Sequence, residues 1–151
     1  MLRGTSGAPA RDIAQRRSDA LAGLAGAERV WVGTTGPDGP HLVPLSCEWD
    51  GARLVMATHE GNLTVRNLRH TSRTRLTPGS TTDVLILDGT TEIHRRGAVP
   101  PDVAEVAARL PMRPVRPDVV VLVFTPARIL TWRHRDEIAG RTVMRNGRWL
   151  G

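Results

Sequence analysis

Two arginines on a short predicted helix are the residues whose type and spacing point most directly to chemistry. Arg66 and Arg69 lie three positions apart within the segment 63–70, so their side chains share one helix face. A predicted strand at 54–58 and a polar, glycine-containing loop precede this helix. The start of a helix combined with arginine side chains makes a cradle for anions. The pattern therefore predicts a site for a phosphate group, with a solvent-exposed helix face as the alternative.

The elements that would position these arginines form a mainly β pattern. Turn signals at 35–40 and 50–51 join three predicted strands into an antiparallel meander. Asp88-Gly89 is predicted to turn a later strand back on itself as a hairpin. Six or more short antiparallel strands with a few helices predict a small barrel, because closure removes exposed strand edges. The predicted strands are 29–33, 41–49, 53–58, 73–77, 83–87, 90–94, 119–124, 128–132 and a hairpin between 143 and 150; the predicted helices are 9–24, 62–70 and one opened by 100–102.

Length and composition predict one globular domain over 9–151, preceded by a disordered start at 1–8. No apolar run approaches the roughly 20 residues that a membrane span requires. The small, polar start lacks the apolar region of a secretion signal. The single cysteine, Cys47, allows neither an internal disulfide nor a multi-thiolate metal site. We therefore expect a cytoplasmic protein with no membrane partner.

The positive charge of the chain is carried by arginine alone. All 21 positively charged side chains are arginine, and the formal net charge is +6. Nucleic-acid binders usually cluster such charges and interleave aromatic side chains for stacking. Here the arginines are scattered and aromatic residues make up 3% of the chain. The pattern disfavours a nucleic-acid partner; a basic barrel that binds RNA or single-stranded DNA stays an alternative, and it requires salt-dependent affinity.

Other chemistries have little support in the sequence. The sequence shows no metal-ligand spacing among His41, His70, His94 and His134, and no cysteine cluster accompanies them. A single histidine such as His134 could be an axial haem ligand, but no second feature supports haem. Ser46 and Cys47 lack the adjacent histidine or strained turn of an activated nucleophile. Cys47 is therefore predicted to be a small core or interface residue.

In their order along the chain, these motifs resemble the pyridoxamine 5'-phosphate oxidase-like split-barrel superfamily, and more narrowly its small actinobacterial flavin- or deazaflavin-dependent oxidoreductases. The resemblance spans about residues 12–150 and is carried by the segments 35–45, 57–58, 66–69, 129–133 and 144–150. It implies a mainly β fold, a six-stranded antiparallel split β-barrel of the Greek-key type with a few short helices. It also implies a homodimer with two cofactor sites at the subunit interface.

The resemblance further implies which residues would hold the cofactor, either FMN or coenzyme F420, a deazaflavin. The ring would lie along the second strand, the phosphate would meet the end of the third strand and the following helix, and the partner subunit would close the site. His59 is a further candidate beside the phosphate, and for Asn67 a bond to the protein backbone is the alternative. The implied residues are Val43, Pro44, Leu45 and Ser46 for the ring; Thr58, Asn62, Thr64, Arg66 and Asn67 for the phosphate; and Trp132 and Arg133 from the partner subunit.

One position departs from the family pattern. Many relatives place a lysine two residues before the family arginine, where this chain has Thr64. A hydroxyl can donate one hydrogen bond but brings no charge, so phosphate affinity would depend on Arg66, Arg69 or His59. The choice between FMN and coenzyme F420 therefore stays open.

The function implied is an oxidoreductase that transfers hydride to an unknown small molecule, with the bound cofactor supplying the redox chemistry and no catalytic side chain. A barrel that binds or senses a ligand without turnover is the alternative. Independently of the resemblance, the four tryptophans favour a homodimer, because they carry more apolar surface than one small core readily hides.

Overall fold

The computed structural model describes residues 9–112 and 116–151 of the chain. The predicted disorder at 1–8 lies outside the described residues. The helices are α1 (Ile13–Gly26), α2 (Leu63–His70) and α3 (Pro101–Ala107), with a 3₁₀ turn at Arg135–Glu137; the strands are β1 (Arg29–Gly36), β2 (Gly39–Trp49), β3 (Leu54–His59), β4 (Arg73–Thr77), β5 (Val84–His94), β6 (Val119–Trp132), β7 (Thr142–Arg145) and β8 (Arg148–Trp149).

Six of the strands close into an antiparallel barrel. Their order is β3-β2-β1-β4-β5-β6, and β3 pairs with β6 to complete the ring. Because β4 returns to lie beside β1, the first four strands form a Greek key. β7 and β8 extend the sheet beyond β6 as a hairpin around Asn146 and Gly147. The predicted fold class is confirmed.

The barrel interior forms because the strands alternate buried and exposed side chains. In β1, Val30 and Val32 are buried in the main core while Trp31 between them is 42% exposed. Helix α2 adds Val65 and Leu68 to the same core. A second cluster lies outside the barrel, where α3 packs against alternate residues of β3 and β6.

The predicted hairpin at Asp88-Gly89 is wrong, because β5 is one continuous strand of 11 residues. The register shifts at Asp88-Gly89 instead, and a Cβ at Gly89 would lie 2.1 Å from the carbonyl oxygen of Thr125. The glycine therefore permits a close approach within a β-bulge rather than a reversal of the chain. For the same reason the two strands predicted at 119–124 and 128–132 are one strand, β6, bulged at Pro126 and Ala127.

The other predicted boundaries shift by a few residues. Helix α1 begins at Ile13 because the Asp12 side chain caps it, accepting from the N–H of Gln15 at 2.8 Å.

Within the described ranges, no helix combines the length and apolar character needed to cross a membrane.

Candidate cofactor site

The site begins where β2 separates from β3. The two strands pair only over Cys47–Trp49 of β2, whereas residues 39–46 continue alongside β1. In the part of the chain that the structure describes, no strand pairs with the other edge of β2 over 39–46. The barrel wall is therefore open at the predicted ring-binding strand.

The backbone polarity of this open edge follows from one hydrogen bond. The N–H of Cys47 donates to the carbonyl of Glu28 at 3.0 Å. Hydrogen-bonding direction alternates along an antiparallel strand, so Val43 and Leu45 direct their backbone groups to β1. The intervening residues direct theirs to the gap, and since Pro40 and Pro44 have no N–H, the donors there are Leu42 and Ser46.

The side chains of the predicted ring residues divide between the two faces of β2. Val43 lies opposite the buried Val32, and Leu45 packs against the main core. Since directly opposed residues share a face, Val43 and Leu45 point inward. Pro44 and Ser46 therefore point to the outer face. A ligand along this strand would meet backbone and these two short side chains.

The end of β3 and the start of α2 are tied together by side chains. Thr58 is 2% exposed, and its hydroxyl accepts from the Asn62 amide nitrogen at 2.8 Å. Asn62 is the N-cap residue of α2, although its side chain makes no capping hydrogen bond. His59 lies 3.0 Å from the Asp118 carboxylate, and this hydrogen bond lowers the pKa of Asp118. The predicted phosphate residues Thr58, His59 and Asn62 are thus neighbours, and each is already bonded within the chain.

Helix α2 turns two of the predicted phosphate residues inward. Thr64 is 2% exposed and Asn67 is 3% exposed. The Asn67 amide donates to the Thr34 hydroxyl at 3.2 Å, and its oxygen lies against Gly36 of β1. Asn67 therefore connects α2 to the end of β1. The hydrogen bond that its amide donates goes to the Thr34 side chain, and not to the backbone as the alternative prediction held.

The two arginines of α2 differ in their surroundings. Arg69 donates to the Glu60 carboxylate at 2.8 Å, and Arg95 also contacts Glu60, at 2.9 Å. The Arg66 side chain is exposed and makes no hydrogen bond or ion pair with the described residues. Arg66 is therefore the α2 arginine that can accept a new anionic partner without breaking an existing contact.

Trp132 and Arg133 lie far from these residues within one chain. Thr58 pairs with Val120 near the start of β6, while Trp132 ends that strand twelve residues later. At about 3.3 Å per residue, roughly 40 Å of strand separates the two groups. The side chain of Arg133 lies 3.9 Å from Asp19 of α1. A single chain therefore does not bring the predicted closing residues to the predicted phosphate residues.

Sequence reasoning missed a second group of charged residues on the outer face of the barrel. Arg73, Arg75, Asp88 and Arg128 line one groove there. A signal existed in the sequence, because Arg73 and Arg75 are two apart in a predicted strand and so share a face. Asp88 was not recognised because it was assigned to a turn.

Comparison with known proteins relates this arrangement to a family. The family model for pyridoxamine 5'-phosphate oxidase matches residues 18–133. No curated protein matches the chain in sequence.

Solved structures share the fold at low sequence identity. General stress protein 26 from Bacillus anthracis has a TM-score of 0.61 at 15% identity, with 77% of this chain and 93% of that chain covered. An F420 reductase has a TM-score of 0.55 at 20% identity, with 72% and 93% covered. A Clostridium acetobutylicum protein related to general stress protein 26, of the pyridoxinephosphate oxidase family, has a TM-score of 0.59 at 24% identity, with 85% and 99% covered.

Proposed function

The chain belongs to the pyridoxamine 5'-phosphate oxidase family, and from that membership we propose that it is a flavin- or deazaflavin-dependent oxidoreductase. The cofactor would be FMN or coenzyme F420. Its substrate would be a small molecule that exchanges a hydride with the bound ring. A structural neighbour at 20% identity is itself an F420 reductase.

The observation that carries the proposal is the exposed guanidinium of Arg66 at the start of α2, beside Asn62 and the end of β3. Arg66 is one helical turn from the N-cap, and its backbone N–H donates to the backbone carbonyl of Asn62 at 3.2 Å. An arginine fork and a helix N-terminus both favour a phosphate group. The donor set therefore fits the anionic tail that FMN and coenzyme F420 share.

The open edge of β2 supports the ring-binding half of the proposal. The ring of either cofactor carries a pyrimidine edge with alternating donors and acceptors, and the gap-facing backbone of Leu42, Pro44 and Ser46 offers both kinds of group. Fixed backbone groups orient a flat ring without the entropy cost of ordering long side chains. Pro44 reduces the number of unpaired donors, which protects an open edge from pairing with other strands.

The distance along β6 supports a homodimer. Trp132 and Arg133 could contribute to a site at Arg66 only from a second copy of the chain. Trp31, which is 42% exposed, gives the outer face of β1 an apolar surface for such a partner. The proposed site is incomplete in one subunit.

The chemistry divides simply between cofactor and protein. The cofactor, when bound, would supply the hydride chemistry. The chain's share would be to hold the phosphate at Arg66, to fix the ring against the β2 backbone and to exclude water. No protein side chain needs to carry a proton in this scheme.

Binding without turnover is the second candidate function, and the burial of Thr64 favours it. With Thr64 turned into the core and Arg69 bound to Glu60, this helix offers the phosphate one uncommitted arginine, Arg66, without the lysine that many relatives add. Weaker anchoring would suit a carrier or sensor that releases its ligand.

Titration of the full chain with FMN and with coenzyme F420, followed by tryptophan quenching, tests the proposal. We expect saturable binding of one cofactor that weakens about tenfold or more in Arg66→Gln. Arg69→Gln is the matched control on the same helix and should stay within about twofold, because Arg69 is held by Glu60. Absence of saturable binding to both cofactors would refute the proposal.

Turnover separates the two candidate functions. The reduced cofactor bound to the protein would be mixed with quinones, nitro compounds and enones, and its absorbance followed. Oxidation that requires the protein supports the oxidoreductase. Tight binding with no protein-dependent oxidation supports the carrier or sensor.

A further inference from the structure

A groove of about 850 Å³ opens on the outer face of the barrel, where β1 leaves β4. β1 and β4 pair only over Trp31–Gly33 and Arg75–Thr77. Beyond this point the two strands diverge, and residues of β1, β2, β4, β5 and β6 line the space between them. The volume lies in the range of small-molecule sites.

One row of directly opposed residues crosses the groove on five neighbouring strands. In order, the row is Leu42, Gly33, Arg75, Asp88 and Arg128. Directly opposed residues point to the same side of a sheet, and all five line the groove. The row therefore combines an apolar wall at Leu42 with charged groups toward β6.

Gly33 forms the floor between these two parts. A Cβ at this position would lie 3.2 Å from the carbonyl oxygen of Arg75 and 3.8 Å from the Leu42 side chain. Any larger side chain would fill the space between the apolar wall and the arginines. The groove thus has depth because the residue here is glycine.

The charges in the groove are unbalanced. Arg75 binds Asp88 through two parallel hydrogen bonds of 2.6 and 2.9 Å, so this pair is internally satisfied. Arg73 lies two residues before Arg75 on the same face, and Arg128 lies on the other side of Asp88. The guanidinium groups of Arg73 and Arg128 form no ion pair and no hydrogen bond with residues of the described ranges. Two guanidinium groups therefore face the groove without a carboxylate partner.

We propose that this groove binds an organic anion, with a carboxylate or phosphate held between Arg73 and Arg128 and an apolar body resting on Gly33 and Leu42. Guanidinium groups bind both kinds of oxyanion through paired N–H donors. Of the residues of the proposed cofactor site, only Leu42 lines the groove, through its side chain, and neither Arg73 nor Arg128 belongs to that site. The inference therefore does not depend on the proposed oxidoreductase function.

A matched pair of probes tests the charge requirement. 2-Naphthoate and its neutral analogue 2-naphthalenemethanol would be titrated into the full chain by isothermal calorimetry at low salt. We expect 2-naphthoate to bind at least about tenfold more tightly, because only it has a carboxylate for the arginines. The same titration with phenyl phosphate shows whether phosphate replaces carboxylate.

Substitutions locate the binding. Arg73→Gln and Arg128→Gln should each weaken 2-naphthoate several-fold, whereas Arg145→Gln, an exposed arginine on β7 outside the groove, should not. Leu42→Ala should weaken both probes alike, because it removes apolar surface. Leu42 is 61% exposed, and Arg73 and Arg128 are also exposed, so we expect each variant to fold, and a thermal melt checks this.

The proposal would be overturned if 2-naphthoate showed no saturable binding or if the neutral analogue bound equally well. Equal effects of Arg145→Gln and the groove substitutions would overturn it too. An affinity for 2-naphthoate that falls as protein concentration rises would also overturn it, because a second copy of the chain would then occupy the groove.

Discussion

Arg11 and Glu137, 126 residues apart in the chain, form a buried two-point ion pair. Arg11 Nη2 lies 2.8 Å from Glu137 Oε1, and Arg11 Nε lies 3.0 Å from Glu137 Oε2. The two side chains are 4% and 1% exposed. Glu137 also accepts from the N–H of Arg133 at 2.8 Å. One carboxylate thus ties the start of α1 to the segment that follows β6 and fixes the backbone of a proposed partner-closing residue.

Glu137→Gln should destabilise the fold by about 3–5 kcal/mol, because it leaves the buried Arg11 guanidinium without its main counter-charge. The free energy of unfolding from urea titration measures this. Asp136→Asn is the control, since Asp136 is 67% exposed and should change stability by no more than about 0.5 kcal/mol. Equal stability of Glu137→Gln and the parent would show that the pair contributes little.

The pH dependence of stability should also change in Glu137→Gln. Burial alone would raise the pKa of Glu137, but hydrogen bonds from Arg11 and Arg133 outweigh burial and hold the pKa well below its ordinary value of 4.5. A carboxyl with a lowered folded-state pKa stabilises the fold above about pH 4.5, and this contribution is lost as pH falls.

The difference in unfolding free energy between the parent and Glu137→Gln should therefore be constant near neutral pH. Below about pH 4.5 it should shrink, by up to about 1.4 kcal/mol for each pH unit. Urea titrations at several pH values measure this difference. A difference that stays constant down to pH 3 contradicts the prediction.

Gly36→Ala should destabilise the contact between β1 and α2. An added Cβ would lie 2.1 Å from the Asn67 side-chain oxygen, so the amide must move and its bond to Thr34 is strained or lost. We expect the free energy of unfolding, measured by thermal or urea denaturation, to fall by about 1–2 kcal/mol. Gly26→Ala is the matched control: it meets nothing within 4 Å at the end of α1 and should stabilise by about 0.5–1 kcal/mol. Similar effects of the two substitutions would refute the steric argument.

Cys47 should be unreactive toward thiol reagents in the folded protein. Burial, with a smaller effect from the charge of Glu48, raises the pKa of its thiol to about 11. At pH 8 only about one thiol in a thousand would be ionised, and the thiolate is the reactive form. Labelling with a disulfide reagent at pH 8 should be slow in buffer and fast in urea. Fast labelling of the folded protein would contradict the burial of Cys47.

The sequence predicted local features well where a single signal acted. Asn146 and Gly147 both have positive φ in the β7–β8 turn, which is the conformation that this residue pair favours. Asp88-Gly89 carries the same kind of signal but lies inside β5. Its partner strand β6 runs the full length of β5, so pairing continues through the bulge and overrides the local preference for a turn.

In the candidate site too, sequence spacing predicted which residues share a helix, whereas packing decided what each side chain contacts. Arg66 and Arg69 look equivalent in the sequence, but of these two arginines Glu60 contacts Arg69 and not Arg66. Glu60 and Arg69 are nine residues apart, and their contact depends on how α2 packs beside the end of β3. Thr64 and Asn67 could not be assigned to the interior from helix spacing alone, because both are polar.

The sequence by itself determined where most of the strand and helix segments lie, the barrel and the likeness to a family, because alternation, turn residues and helix spacing act over a few residues. The tertiary structure alone decided which side chains meet across long separations: Arg11 with Glu137, Asn67 with Thr34, and the row from Leu42 to Arg128. These contacts depend on strand register and closure, and no spacing along the chain encodes which residue of one strand faces which residue of another.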